Sequence, residues 1–83
     1  MGLRRKKEKH TVADLRIGEE AVIESFSDAE MALKLMEMGC LPGEVIKVER
    51  LAPWGDPMAI EVQGYTLSLR IEEADTILVN PLD

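Results

Sequence analysis

Side chains able to do chemistry are few in this sequence. It holds one histidine, His10, and one cysteine, Cys40. A serine or cysteine nucleophile needs a positioned imidazole to accept its proton, and His10 falls in a segment that reads as disordered. Cys40 directly follows a helix stop, and the partial negative charge of a helix C-terminus disfavours a thiolate. It therefore reads as a small buried apolar residue. Carboxylates are abundant, as in Glu19-Glu20 and Glu72-Glu73-Asp75. Neighbouring acids on a strand or turn point apart into water, so these read as a solvated face. No phosphate-binding or dinucleotide glycine pattern is present. Neither is a C-x-x-C or H-x-x-x-H spacing, so a structural zinc site is not expected, and a carboxylate-only cation site would be weak and unselective. With no catalytic, cofactor-binding or metal-ligating set in the sequence, the chain is not expected to be an enzyme.

What is left is surface chemistry. Trp54 stands between Pro53 and Gly55 in the turn Ala52-Pro53-Trp54-Gly55-Asp56-Pro57, where small polar residues are the rule. Such a tryptophan either folds back over the core or anchors a partner's pocket. A helix expected over 28–38 carries two apolar stripes, one of Met31, Leu35 and Met38, the other of Ala29, Ala32, Leu33 and Met36. One packing face about 100° wide, or a little wider, is enough for a surface helix. The second stripe either completes coverage of the sheet, forms a dimer seam or meets a partner, and its methionine suits an adaptable groove. Leu33, Met36, Pro53 and Trp54 are the candidate partner-binding residues.

The elements that hold these residues follow from length and pattern. Eighty-three residues make one small domain with a thin core. The 46% hydrophobic content and mean hydropathy of -0.07 fit a globular chain. No apolar run approaches the about 20 residues of a membrane helix, and the basic start lacks the apolar stretch of a secretory signal. One cysteine permits no internal disulfide, so the cytoplasm is the expected compartment. Charge is divided: residues 1–10 hold five basic residues and one acidic, a net of +4, while residues 11–83 hold five basic and 15 acidic, a net of -10. The acidic body repels phosphate backbones, so no nucleic-acid partner is expected. The basic tail, read as disordered over 1–10, could touch an anionic membrane weakly. Ordered structure is then expected from Thr11 to Asp83.

Ala21–Phe26 reads as a strand. Ser27-Asp28 supplies an N-cap, residues 28–38 contain no Gly, Pro or β-branched residue, and Gly39 and Pro42 stop the helix. Period-two alternation follows in Val45–Leu51, Met58–Val62 and Tyr65–Leu69, with Tyr65, Leu67 and Leu69 on one face and Gln63-Gly64 as a tight hairpin turn. Glu72–Asp75 reads as a single 3-10 turn and Thr76–Val79 as a last strand. Short strands joined by tight turns favour an antiparallel meander, which curls into a barrel. The expected fold is mainly β, a five-stranded SH3-like barrel with one helix inserted after the first strand.

Taken in order, these segments resemble the FeoA family of small proteins associated with bacterial ferrous iron uptake. The resemblance rests on Leu15-Arg16-Ile17-Gly18, Leu35-Met36-Glu37-Met38-Gly39, Pro42-Gly43, Ala52-Pro53 with Gly55-Asp56-Pro57, Gly64 with Leu67, Leu69 and Arg70, and Glu73-Ala74 before Ile77 and Val79. It covers about four fifths of the chain, leaving out the basic tail, and it implies an SH3-like barrel with no catalysis of its own. The implied partner is FeoB, a membrane iron transporter with a cytoplasmic GTP-binding domain. The competing reading is a stand-alone domain that binds or senses a transition metal.

Overall fold

The computed structural model describes residues 10–82. The expected basic tail therefore lies outside the described residues, except His10, which is already in a strand.

Among the described residues there are six strands, two α-helices and a 3-10 turn (Val12–Asp14). The strands and α-helices are β1 (His10–Thr11), β2 (Glu20–Phe26), α1 (Ala29–Glu37), β3 (Val45–Leu51), β4 (Met58–Val62), β5 (Tyr65–Leu69), α2 (Ile71–Ala74) and β6 (Ile77–Pro81). All pairings are antiparallel, in the order β1-β6-β2-β3-β4-β5. The five expected strands are present, and the sixth is the two-residue β1, paired through His10 with Val79 and Thr11 with Leu78. Two residues carry no period, so only the free edge of β6 calls this strand into being.

Helix α1 is built as its sequence dictates. Asp28 Oδ1 accepts from the backbone N–H of Glu30 and Met31, both at 3.0 Å, satisfying two free donors of the first turn. At the other end the Gly39 N–H donates to Met36 O and the Cys40 N–H to Leu35 O, each at 3.0 Å. This six-to-one and five-to-two pairing needs a left-handed residue after the cap, and Gly39 supplies it with φ +108°. Buried Cys40 is the apolar residue that closes the motif.

Alternation decides which face is buried. Ile23, Ile46, Val48, Met58, Ile60, Val62, Leu69, Ile77 and Val79 point into one core, and α1 adds Leu35. Bulges between Ile23 and Ser25 and between Val48 and Arg50 increase the local bend, so the sheet curls over that core. The end strands β1 and β5 do not pair with each other. Thr11 Oγ1 donates to Asp75 Oδ1 at 3.0 Å, which ties β1 to the end of α2.

Two local readings need correction. Residues 72–75 are not a 3-10 turn, because α2 begins one residue earlier and turns as a short α-helix. Tyr65 does not join Leu67 and Leu69 against the core and is 70% exposed. It sits beside the Gln63-Gly64 turn on the outermost strand, with no further strand beside it among the described residues. That turn takes φ +54° and +82°, the mirror-image geometry that matches strand twist.

Candidate interaction surface

The turn between β3 and β4 is pinned at its base. The Ala52 N–H donates to Pro57 O at 3.0 Å and the Gly55 N–H to Ala52 O at 2.7 Å. Asp56 Oδ1 accepts from the Ile71 N–H at 3.0 Å, which ties the turn to the start of α2. On this fixed base Pro53 is exposed and Trp54 is 91% exposed. The tryptophan does not fold back over the core; a large apolar ring stands in water.

Helix α1 divides its stripes as its surplus suggested. Leu35 is buried with Met31 and Met38 packed around it, while Leu33 is 66% exposed and Met36 half-buried. The flank of α1 that meets the turn carries Lys34 and Met38, which share a groove with Asp56, Pro57 and Arg70. At about 100° per residue, Leu33 and Met36 fall on the other side of the helix axis from that flank. The four candidate residues thus form two exposed features, a Pro53–Trp54 tip and a Leu33–Met36 stripe, rather than one patch.

Between tip and helix lies a groove of about 480 Å³ with charged walls. Its centre is Glu73, only 7% exposed. Glu73 Oε2 accepts from Lys34 Nζ at 2.7 Å and Oε1 from the Arg70 N–H at 2.9 Å. The bond from Lys34, followed by that from the Arg70 backbone, holds the Glu73 carboxyl below its usual range. One carboxylate thereby locks α1 to α2. This corrects the reading of residues 72–75 as a wholly solvated acidic face: Glu73 faces inward because it caps its own helix. An Asx/Glx-type partner three residues after Arg70 was the signal available in the sequence.

A second groove, of about 310 Å³, runs over the outer face of β3, β4 and β5. Arg50, Ala59 and Ser68 lie side by side across these strands, and the two grooves meet at Pro57 and Ser68. Arg50 and Arg70 were not singled out by spacing. Their signal was scarcity, since residues 11–83 have only five basic side chains and two of them flank this turn.

Cys40 is fully buried, and burial pushes its thiol up to about 11, so it is an unreactive core residue. Among the described residues no three His, Cys, Asp or Glu side chains gather where they could hold a metal ion. Nor is any helix among them long and apolar enough to cross a membrane.

Comparison with known proteins places this architecture. The FeoA-domain family model matches residues 10–81. A Porphyromonas gingivalis protein described as a fusion of Fe(2+) transport protein A and the Fe(2+) transporter FeoB is 35% identical over 69 residues, 82% of this chain. The match spans only 8% of that relative's length. The solution structure of a FeoA-like protein from Clostridium acetobutylicum superposes with a TM-score of 0.85 at 33% identity, covering 94% of this chain and 92% of that one. A zinc-complexed FeoA from Stenotrophomonas maltophilia, described as a prokaryotic SH3-domain protein, superposes at 0.76 with 30% identity, covering 86% of this chain and 89% of its own. A mainly β, SH3-like sheet with one inserted helix, matched by the family model over nearly all the residues described, makes this chain a member of the FeoA family.

Proposed function

We propose that the chain is a non-catalytic accessory of ferrous iron uptake, acting as a protein-interaction module on a FeoB-type GTPase transporter at the cytoplasmic face of the membrane. The observation that carries this reading is the Porphyromonas relative, in which a FeoA segment is joined to FeoB in one polypeptide. A covalent link keeps two modules at a high effective concentration, and separate chains can achieve the same end only through a binding surface. The fixed turn bearing Trp54 supplies a surface of the right kind, since anchors at interface centres are enriched in tryptophan.

The test is a titration of the full chain against the cytoplasmic domain of a FeoB-type transporter from the same genome. Saturable binding is expected, weakened by Trp54→Ala. No binding to that domain or to the intact transporter would overturn the reading. The competing metal-binding reading makes a different demand, namely stoichiometric, sub-micromolar uptake of Fe²⁺ by the isolated chain.

A further inference from the structure

We infer that the free edge of β5 is a strand-docking site for an extended segment of the partner that carries carboxylates on one face and apolar side chains on the other. Strand β5 ends the sheet and pairs only with β4. Its two-residue turn makes Val62 and Tyr65 the pair that exchanges main-chain bonds. Alternation then turns the N–H and C=O groups of Leu67 and Leu69 toward β4 and those of Thr66 and Ser68 outward. Sheet edges are normally guarded by lysine, proline or a bulge. The Tyr-Thr-Leu-Ser-Leu sequence of β5 has none of these.

Charge identifies the occupant. The chain is acidic overall, with a net of -6, yet two arginines stand on the outer face toward the Ser68 end of this edge. Arg50 lies in the row that crosses Ala59 to Ser68, and its guanidinium has no ion-pair or hydrogen-bond partner among the described residues. Arg70, which follows Ser68 on the same face, likewise has no ion pair or side-chain hydrogen bond among the described residues, although its charge acts on Glu73 across the groove. The nearby carboxylates keep their charge but are held by hydrogen bonds, Glu73 to Lys34 and the Arg70 N–H, Asp56 to the Ile71 N–H and Glu49 to the Thr66 hydroxyl, while Glu61 lies one row away, opposite Thr66. Small side chains at Ala59 and Ser68 leave the floor open between Arg50 and the edge. A strand added antiparallel to β5 would set carboxylates opposite Ser68 and Arg70, within reach of both arginines. Its alternate residues would fall beside half-buried Leu67 and exposed Tyr65 and so should be apolar. A second copy fits poorly. Pairing two β5 strands about Leu67 brings Gly64 opposite Arg70, and β5 contains no acid.

This deepens the interaction reading above by assigning it an edge and a ligand pattern. The test uses the full ¹⁵N-labelled chain with the peptide Ac-Glu-Leu-Glu-Val-Thr-NH₂ and its counterpart with lysine in place of glutamate. The glutamate peptide should shift the Thr66 and Ser68 amide signals, and the lysine peptide should not. The variant R50E/R70E should bind the glutamate peptide at least tenfold more weakly. Ser68→Pro, which removes an outward N–H at a position where an edge strand tolerates proline, should do the same, so the test does not hang on one variant's folding. Equal shifts with both peptides, shifts confined elsewhere, unaltered binding by both variants, or concentration-dependent Thr66 and Ser68 signals without peptide would each overturn the inference. In parallel, R50E/R70E should bind the FeoB-type transporter at least tenfold more weakly than wild type. Equal binding there overturns the edge as the contact. If wild type ignores the transporter while the peptide result stands, the choice of partner fails and the edge remains.

Discussion

Glu73 and Trp54 mark opposite ways in which a single side chain departs from its sequence pattern. Three acids in four positions suggest solvation, but α2 needs its first N–H groups satisfied, and Glu73 can reach back three residues to do so. Once turned inward it requires a cation, and Lys34 arrives from α1. Because the folded carboxyl titrates below its ordinary value of 4.5, this interaction stabilises the protein fully above that pH, and the stabilisation is lost as pH falls through the folded value. Glu73→Gln should cost about 1–3 kcal/mol at neutral pH, the cost of leaving a buried charged bond unmade. The variant's melting temperature should also fall less than wild type's between pH 6 and pH 3; parallel acid profiles would show that Glu73 is not the responsible group. Trp54, by contrast, touches little of its own chain. Trp54→Ala should leave the melting temperature unchanged and weaken transporter binding about thirtyfold, the equivalent of about 2 kcal/mol. Leu33→Glu should also leave the fold intact and weaken binding by about as much. Because the two sites lie on different flanks, their effects should add in the double variant. A lowered melting temperature for Trp54→Ala would mean that the ring caps the core after all.

At the scale of elements, what could be read from the sequence divides by the kind of force involved. Helix α1 was legible from Asp28 to Gly39 because capping, propensity and stop signal all act within one turn of the chain. Strands β2 to β6 were legible because burial imposes a period of two. The two-residue β1, the inward turn of Glu73 and the outward turn of Tyr65 were not, since each depends on an element distant in sequence. The candidate surface was legible in part: Trp54 and Leu33 could be suspected from turn composition and stripe width, whereas their separation depends on which flank of α1 meets the turn. The Pro42-Gly43 connection shows a local signal serving a distant one. Gly43 has φ +95° and open space around its Cβ position, while the Glu44 N–H closes the turn on Leu41 O at 3.0 Å. The Gly43 N–H also donates to Ile23 O at 2.8 Å, and the Ile23 N–H to Glu44 O at 2.9 Å, which sets β3 against β2. Gly43→Val should therefore destabilise by about 1–3 kcal/mol through backbone strain alone. An unchanged denaturation midpoint would show that the left-handed geometry is not required there.

For the whole molecule the governing feature is the opposition between a basic terminus and an acidic body, +4 over residues 1–10 and -10 over residues 11–83. A body of net charge -10 is repelled by an anionic bilayer. The transporter it is proposed to serve lies in just such a surface. We propose that the tail offsets this repulsion. Each basic residue close to an anionic surface contributes about 1 kcal/mol, and the effect fades beyond a Debye length of about 8 Å at physiological salt. Five such residues are enough to hold the chain near the membrane weakly, without anchoring it. His10 pairs with Val79 at the sheet edge, so the tail leaves the domain beside β6 and its loss removes no described core residue. Deleting residues 2–9 should leave the melting temperature within a degree or two and reduce sedimentation with anionic vesicles at low salt. Raising the salt should bring the full chain down to the level of the truncated one, because the attraction is screened. Equal sedimentation of both forms at low salt would rule the tail out as a membrane contact and leave the partner's protein surface as the only means of recruitment.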